Sequence, residues 1–91
     1  MKIRRAGIED LWSLHWLRSL AGWNQPLSFW NFVLRAPTAE VYLAEREATA
    51  VGSAMVWSYG IELDWVGMVI VHPAYRRRGI GRKLLDACLA R

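Results

Sequence analysis

Val69-Ile70-Val71-His72-Pro73-Ala74-Tyr75-Arg76-Arg77-Arg78-Gly79-Ile80-Gly81-Arg82 is the stretch on which the reading of this chain turns. The β-branched residues up to Val71 read as the end of a strand. Pro73 stops it, because proline has no amide to give to a central ladder. A basic loop with two glycines follows and opens directly into a helical pattern from Gly79 to Arg91. There Ile80, Leu84 and Cys88 share one side, with Leu85 and Leu89 beside them. The first amides of such a helix have no partner within it, and its dipole adds partial positive charge. Gly79 and Gly81 let a ligand come close to the backbone, and Arg76, Arg77, Arg78 and Arg82 add full charges around the same point. Backbone donors and arginines gathered in this way suit a pyrophosphate. An arginine run alone is usually a solvated turn. The order strand, proline, arginines, Gly-x-Gly, helix is far more specific. No Lys-Ser or Lys-Thr follows the glycines, so this is not a P-loop. A single Gly-x-Gly outside a first βα unit does not meet the dinucleotide fingerprint either.

Working outward, Ile61 to Val71 reads as one long strand, preceded by a turn at Tyr59-Gly60 and a strand from Ala50 to Ser58 in which Gly52 is a possible bulge. Arg46 to Thr49 reads as the turn after a strand at Val41–Glu45. Upstream, Pro26 is placed to begin a helix filled by Phe29, Trp30, Phe32, Val33 and Leu34 and ended by Ala36-Pro37. Ala21 to Gln25 is a break, with Gly22 after the last apolar turn. Before it, Leu11, Leu14 and Leu17 with Trp12 and Trp16 give an amphipathic helix reaching about Leu20. Gly7 is its candidate cap, and Glu9 and Asp10 add acidic charge near its start. Met1 to Arg5 alternates like a short strand. The order is β-α-α-β-β-β-α, a mixed sheet, mostly antiparallel, with helices packed on it: an α/β or α+β class.

Ninety-one residues make one small domain or a piece of a larger one. The hydrophobic share of 54% is that of a globular chain, not of a disordered one. One cysteine excludes an internal disulfide and a multi-cysteine zinc site, and no metal site is expected. No apolar run approaches a membrane span and no signal peptide precedes the first strand, so a cytoplasmic setting is expected. The net charge of +4 is uneven. Residues 1–71 carry six Lys/Arg against seven Asp/Glu, whereas residues 72–91 carry six against one. Such a local knot suits one phosphate-bearing ligand better than a nucleic-acid coat.

Arg76-Arg77-Arg78-Gly79-Ile80-Gly81 resembles the Q/R-x-x-G-x-G/A acetyl-CoA motif of the GNAT superfamily of N-acetyltransferases, and the preceding V-x-V-x-P-x-Y frame agrees with it. The element order is similar to the first part of that fold. Ala21-Gly22-Trp23-Asn24-Gln25 and Trp65-Val66-Gly67-Met68 also look like a bacterial subgroup that often carries a second acetyltransferase-like domain. The resemblance implies acetyl-CoA as cosubstrate and a primary amine, on a small molecule or a protein, as acceptor. It implies that the backbone of Val69, Ile70 and Val71 hydrogen-bonds the pantetheine arm, and that the amides of Arg77 through Arg82 wrap the pyrophosphate. It further implies that residues 1–91 are the N-terminal portion of a single domain. The strand, helix and hairpin that complete the family's fold, often with a tyrosine that protonates the leaving thiolate, lie beyond it. A sheet edge left open in this way favours self-association.

Glu62 and Asp64, two apart on one strand face, are the candidates for a base that takes a proton from the amine, although ordinary polar-face positions look the same. His72 titrates near neutrality by type but sits beside proline as a loop residue. His15, between Trp12 and Trp16, reads as structural, and Cys88 as a small hydrophobe. Trp23 and Trp30 are candidate walls of an acceptor pocket. Two rival functions remain. One is a non-catalytic acyl-CoA-binding or regulatory module, or an inactive fragment. The other is a small nucleic-acid-binding domain using Arg76 to Arg78, disfavoured because the first 71 residues are net acidic and carry no nucleic-acid motif.

Overall fold

Residues 1–22, 26–58 and 64–90 are described by the structure, a computed structural model, with Asp64 described in its backbone alone. They form β1 (Lys2–Arg5), α1 (Leu11–Leu20), α2 (Leu27–Arg35), β2 (Ala39–Arg46), β3 (Thr49–Ser58), β4 (Asp64–Val71) and α3 (Ile80–Ala90). Short 3-10 turns at Ile8–Asp10 and Pro73–Tyr75 stand ahead of α1 and α3. The expected order of elements holds. The turn at Tyr59-Gly60, the start of the third long strand and part of the break after α1 lie outside the described residues.

Among the described residues the sheet has four strands in the order β1-β2-β3-β4, each antiparallel to its neighbour. Helices cover both faces. Leu14, Leu17, Trp30 and Val33 of α1 and α2 pack on Val41, Leu43, Met55 and Ile70. Ile80, Leu84 and Cys88 of α3 pack on the opposite face against Ala44, Val51, Ala54 and Val56. β3 therefore buries both of its sides, which is why residues 50–56 read as a nearly unbroken run of small and apolar residues. The register of β2 on β3 slips between Ala44 and Glu45, so that Val51 is the extra residue, beside the expected bulge at Gly52. Gly52 has a second reason to lack a side chain. A Cβ there would come 2.9 Å from Leu84 Cδ1 and 3.2 Å from the Ile70 carbonyl oxygen.

Local chemistry sets the helix ends. Gly22, at φ +80°, stops α1. Pro26 proves to be the extended residue just before α2 rather than its first helical one. Ala36, held extended ahead of Pro37, closes α2. At the start of α1, Asp10 does more than meet a helix dipole. It is buried, takes both terminal nitrogens of the Arg4 guanidinium at 2.9 and 2.7 Å, and accepts the Gly7 amide at 2.9 Å. Arg4 Nε also binds Glu45 on β2. This ion-paired clasp ties β1, the α1 entry and β2 together.

Candidate functional site

β4 carries the first part of the site. Ser53 faces Ile70 and Met55 faces Gly67, so Ala54 alone stands opposite both Met68 and Val69. This bulge puts Met68 at φ +54° and reverses which residues face which side. Val66 and Val71 then lie toward α3, while Met68 and Ile70 lie toward α1 and α2. The His72 amide bonds the Val51 carbonyl at 2.8 Å. Alternation from that bond turns the peptide groups of Ile70 toward β3 and those of Val69 and Val71 to the outer side of the strand. That side has no neighbouring strand among the described residues. The three backbone positions singled out from sequence are therefore not equivalent. Ile70 is committed to the sheet, and Val69 and Val71 present their groups at its edge.

The loop after β4 is built in steps. His72 Nδ1 accepts the Ala74 amide at 3.0 Å and so caps the Pro73–Tyr75 turn, giving this histidine a definite local role. Arg77 at φ +65° and Gly79 at φ +75° are both left-handed, on either side of Arg78. Left-handed residues within a turn point successive amides the same way, as in anion-binding nests. A non-glycine residue there costs roughly 1–2 kcal/mol, so Arg77 holds some strain. The first helical bond of α3 runs from the Lys83 amide to the Gly79 carbonyl at 3.1 Å. The amides of Ile80, Gly81 and Arg82 lie ahead of it with no helical acceptor behind them. A Cβ on Gly81 would sit 3.7 Å from both Val69 Cγ1 and Val71 Cγ2. The first turn of α3 thus stands within van der Waals reach of the end of β4, and a larger side chain at residue 81 would press on Val69 and Val71.

The charges are arranged less uniformly than their spacing suggests. Arg76, Arg77 and Arg78 are exposed and make no ion pair among the described residues. Arg76 Nε reaches back to the Val71 carbonyl at 3.4 Å, and the Arg78 guanidinium lies 5.4 Å from the centre of the Tyr75 ring. Arg82 turns along its helix to Asp86, at 3.2 Å, so it offers the site its amide rather than its charge.

Of the other candidates, Glu62 lies outside the described residues, and Asp64 pairs with Ser58 at the far end of β4. Val71 lies seven positions further on, about 23 Å along a strand. Trp30 is fully buried in the core, which rules it out as the wall of an open pocket, and Trp23 lies outside the described residues. His15 Nδ1 is 2.8 Å from the guanidinium of buried Arg18, a structural contact as expected. Cys88 is buried among apolar side chains. The Met68 bulge had one signal in the sequence, Gly67 inside a strand, which sequence reasoning passed over.

A family model described as acetyltransferase (GNAT) domain matches residues 37–91. None of the curated protein sequences compared matches the chain significantly. Solved structures do match. A ribosomal-protein-alanine N-acetyltransferase from Brucella melitensis superposes with a TM-score of 0.82 at 22% identity, over 99% of this chain and 70% of that one. The aminoglycoside N-acetyltransferase AAC(6')-Iy, in complex with CoA, gives 0.80 at 20% identity, over 98% and 66%. An acetyltransferase described as putative, from Pyrococcus horikoshii, gives 0.83 at 26% identity, over 98% and 33%. These likenesses are of fold, and each of those proteins is longer than the stretch it shares with this chain.

Proposed function

Because this chain belongs to the GNAT acetyltransferase family, we propose that it binds an acyl-CoA, acetyl-CoA in the first instance, and passes the acyl group to a primary amine. The observation that carries this reading is the close approach of Gly81 to the end of β4, with left-handed Arg77 and Gly79 in the loop just ahead of it. At this loop the amides from Arg77 to Arg82 hold the pyrophosphate, helped by the helix dipole and the unpaired charges of Arg76, Arg77 and Arg78. Val69 and Val71 offer edge amides and carbonyls to the pantetheine arm, and Ile70 keeps the strand in register. A thioester carbonyl held against such an edge amide is polarised as charge develops on its oxygen. Holding amine and thioester in one cleft supplies much of the rate. The CoA complex of a structural neighbour supports the cosubstrate. The acceptor is an amine-bearing small molecule or protein, the two kinds named for the neighbours. Residues 1–91 are read as the N-terminal portion of one such domain, with Glu62 and Asp64 kept as the candidates for the base.

Calorimetric titration of CoA against the wild type and Gly81→Val tests the reading. The isopropyl group crowds Val69 and Val71 and blocks close approach to the backbone at residue 81, so affinity is expected to fall at least about tenfold. Equal affinities, or no binding by the wild type, overturn it.

A further inference from the structure

Arg46 ends β2, far from the arginine loop in sequence, yet its guanidinium lies 5.9 Å from the centre of the Tyr75 ring. The Arg78 guanidinium lies 5.4 Å from the same centre. Two like charges thus border one aromatic ring, and neither makes an ion pair among the described residues. Neither acid nearest Arg46 in sequence pairs with it. Glu45 binds Arg4, and Glu45 and Glu47 border a separate hollow with Met1 and Lys2. The ring also has aromatic neighbours. His72 packs edge-on against it at 5.3 Å, and Trp16 packs on His72 at 5.5 Å. Cation–ring contact orients the two guanidinium planes without neutralising them.

We propose that Arg46 and Arg78, set on the Tyr75 ring, form a second anion subsite that takes the 3′-phosphate on the ribose of CoA. The inference rests on the acyl-CoA reading and adds a residue, Arg46, that lies outside the loop. Arg78 sits between the two left-handed residues whose amides are assigned to the pyrophosphate, so a group in reach of its side chain is close to that pyrophosphate. CoA carries both groups on one sugar, the pyrophosphate through the 5′ oxygen and a phosphomonoester on the 3′ oxygen. A phosphomonoester is close to a dianion at neutral pH, which matches two guanidinium charges. The planar fork of each guanidinium fits phosphate oxygens in pairs, which a lysine does not do.

The test is calorimetry with CoA and with 3′-dephospho-CoA against the wild type, Arg46→Ala and Arg46→Lys. The wild type is expected to prefer CoA. Arg46→Ala should weaken CoA by about five- to tenfold and dephospho-CoA by less than about twofold, with Arg46→Lys between. A wild type that binds the two ligands equally, or an Arg46→Ala variant that weakens both alike, overturns the subsite while the acyl-CoA reading stands. A wild type that binds neither ligand removes the acyl-CoA reading and the subsite with it.

Discussion

Asp10 shows how one residue can be legible in its type and hidden in its role. Its place at a helix start was plain, but its burial and the double bond from Arg4 depend on β1 folding back beside it. Those bonds, with help from the Gly7 amide, hold its carboxyl below the usual aspartate range against the opposing effect of burial. A lowered carboxylate pKa stabilises the fold above the unfolded value, about 3.9, and that contribution disappears as pH falls through the folded value. Asp10→Asn is therefore expected to lower stability near neutral pH by roughly 2 kcal/mol and to flatten the loss between about pH 4 and more acid conditions. Denaturant titrations at a series of pH values check this. An unchanged acid slope would remove Asp10 as its source. Gly81 and Arg46 differ in the same sense. The glycine stands out in the sequence by its motif, whereas nothing near Arg46 in sequence points to Tyr75.

Elements were easier to read than their irregularities. Periodicity located the three helices of the described residues because each lays one apolar stripe on the sheet, and proline and glycine marked the ends of α1 and α2. The hairpin between β2 and β3 was recognisable as a turn, but its strain was not. Glu47 at φ +52° and Ala48 at φ +65° make a tight two-residue turn in the left-handed region, where Asn-Gly is the favoured pair. Replacing both, Glu47→Asn with Ala48→Gly, is expected to raise stability by about 1–2 kcal/mol. Thermal melting reads this as a midpoint several degrees higher. An unchanged or lower midpoint would show that the turn stores no strain. The Met68 bulge belongs with these features, because it arises from pairing with β3 and has only Gly67 as a local trace.

At the scale of the molecule, helices shield both faces of the sheet, but among the described residues no strand pairs with the outer side of β4. Trp65 and Val69 on that strand are exposed, and its outward backbone groups are a template for pairing. The 91-residue chain is expected to self-associate in light scattering, and Trp65→Lys is expected to shift it toward monomer. With that side of the strand open, thiol release from acetyl-CoA in the presence of polyamines or aminoacyl substrates is expected to be slow or undetectable even at CoA concentrations that saturate the proposed site. A clean monomer with robust turnover would overturn this account of the cleft.

Local rules sufficed for what depends on neighbours in the chain. The order of elements, the stop at Pro73, the turn at Gly22 and the arginine- and glycine-containing loop before α3 all follow from residue type and short spacing. So does the family, since its motif lies within one continuous stretch. Tertiary packing alone decided the rest. The bulge at Met68, the division of labour among Val69, Ile70 and Val71, the burial of Trp30 and the approach of Arg46 to Tyr75 each require segments distant in sequence to pair or stack. A strand's register and a helix's closeness to a sheet are set by side chains from both partners, and no window along one segment contains both.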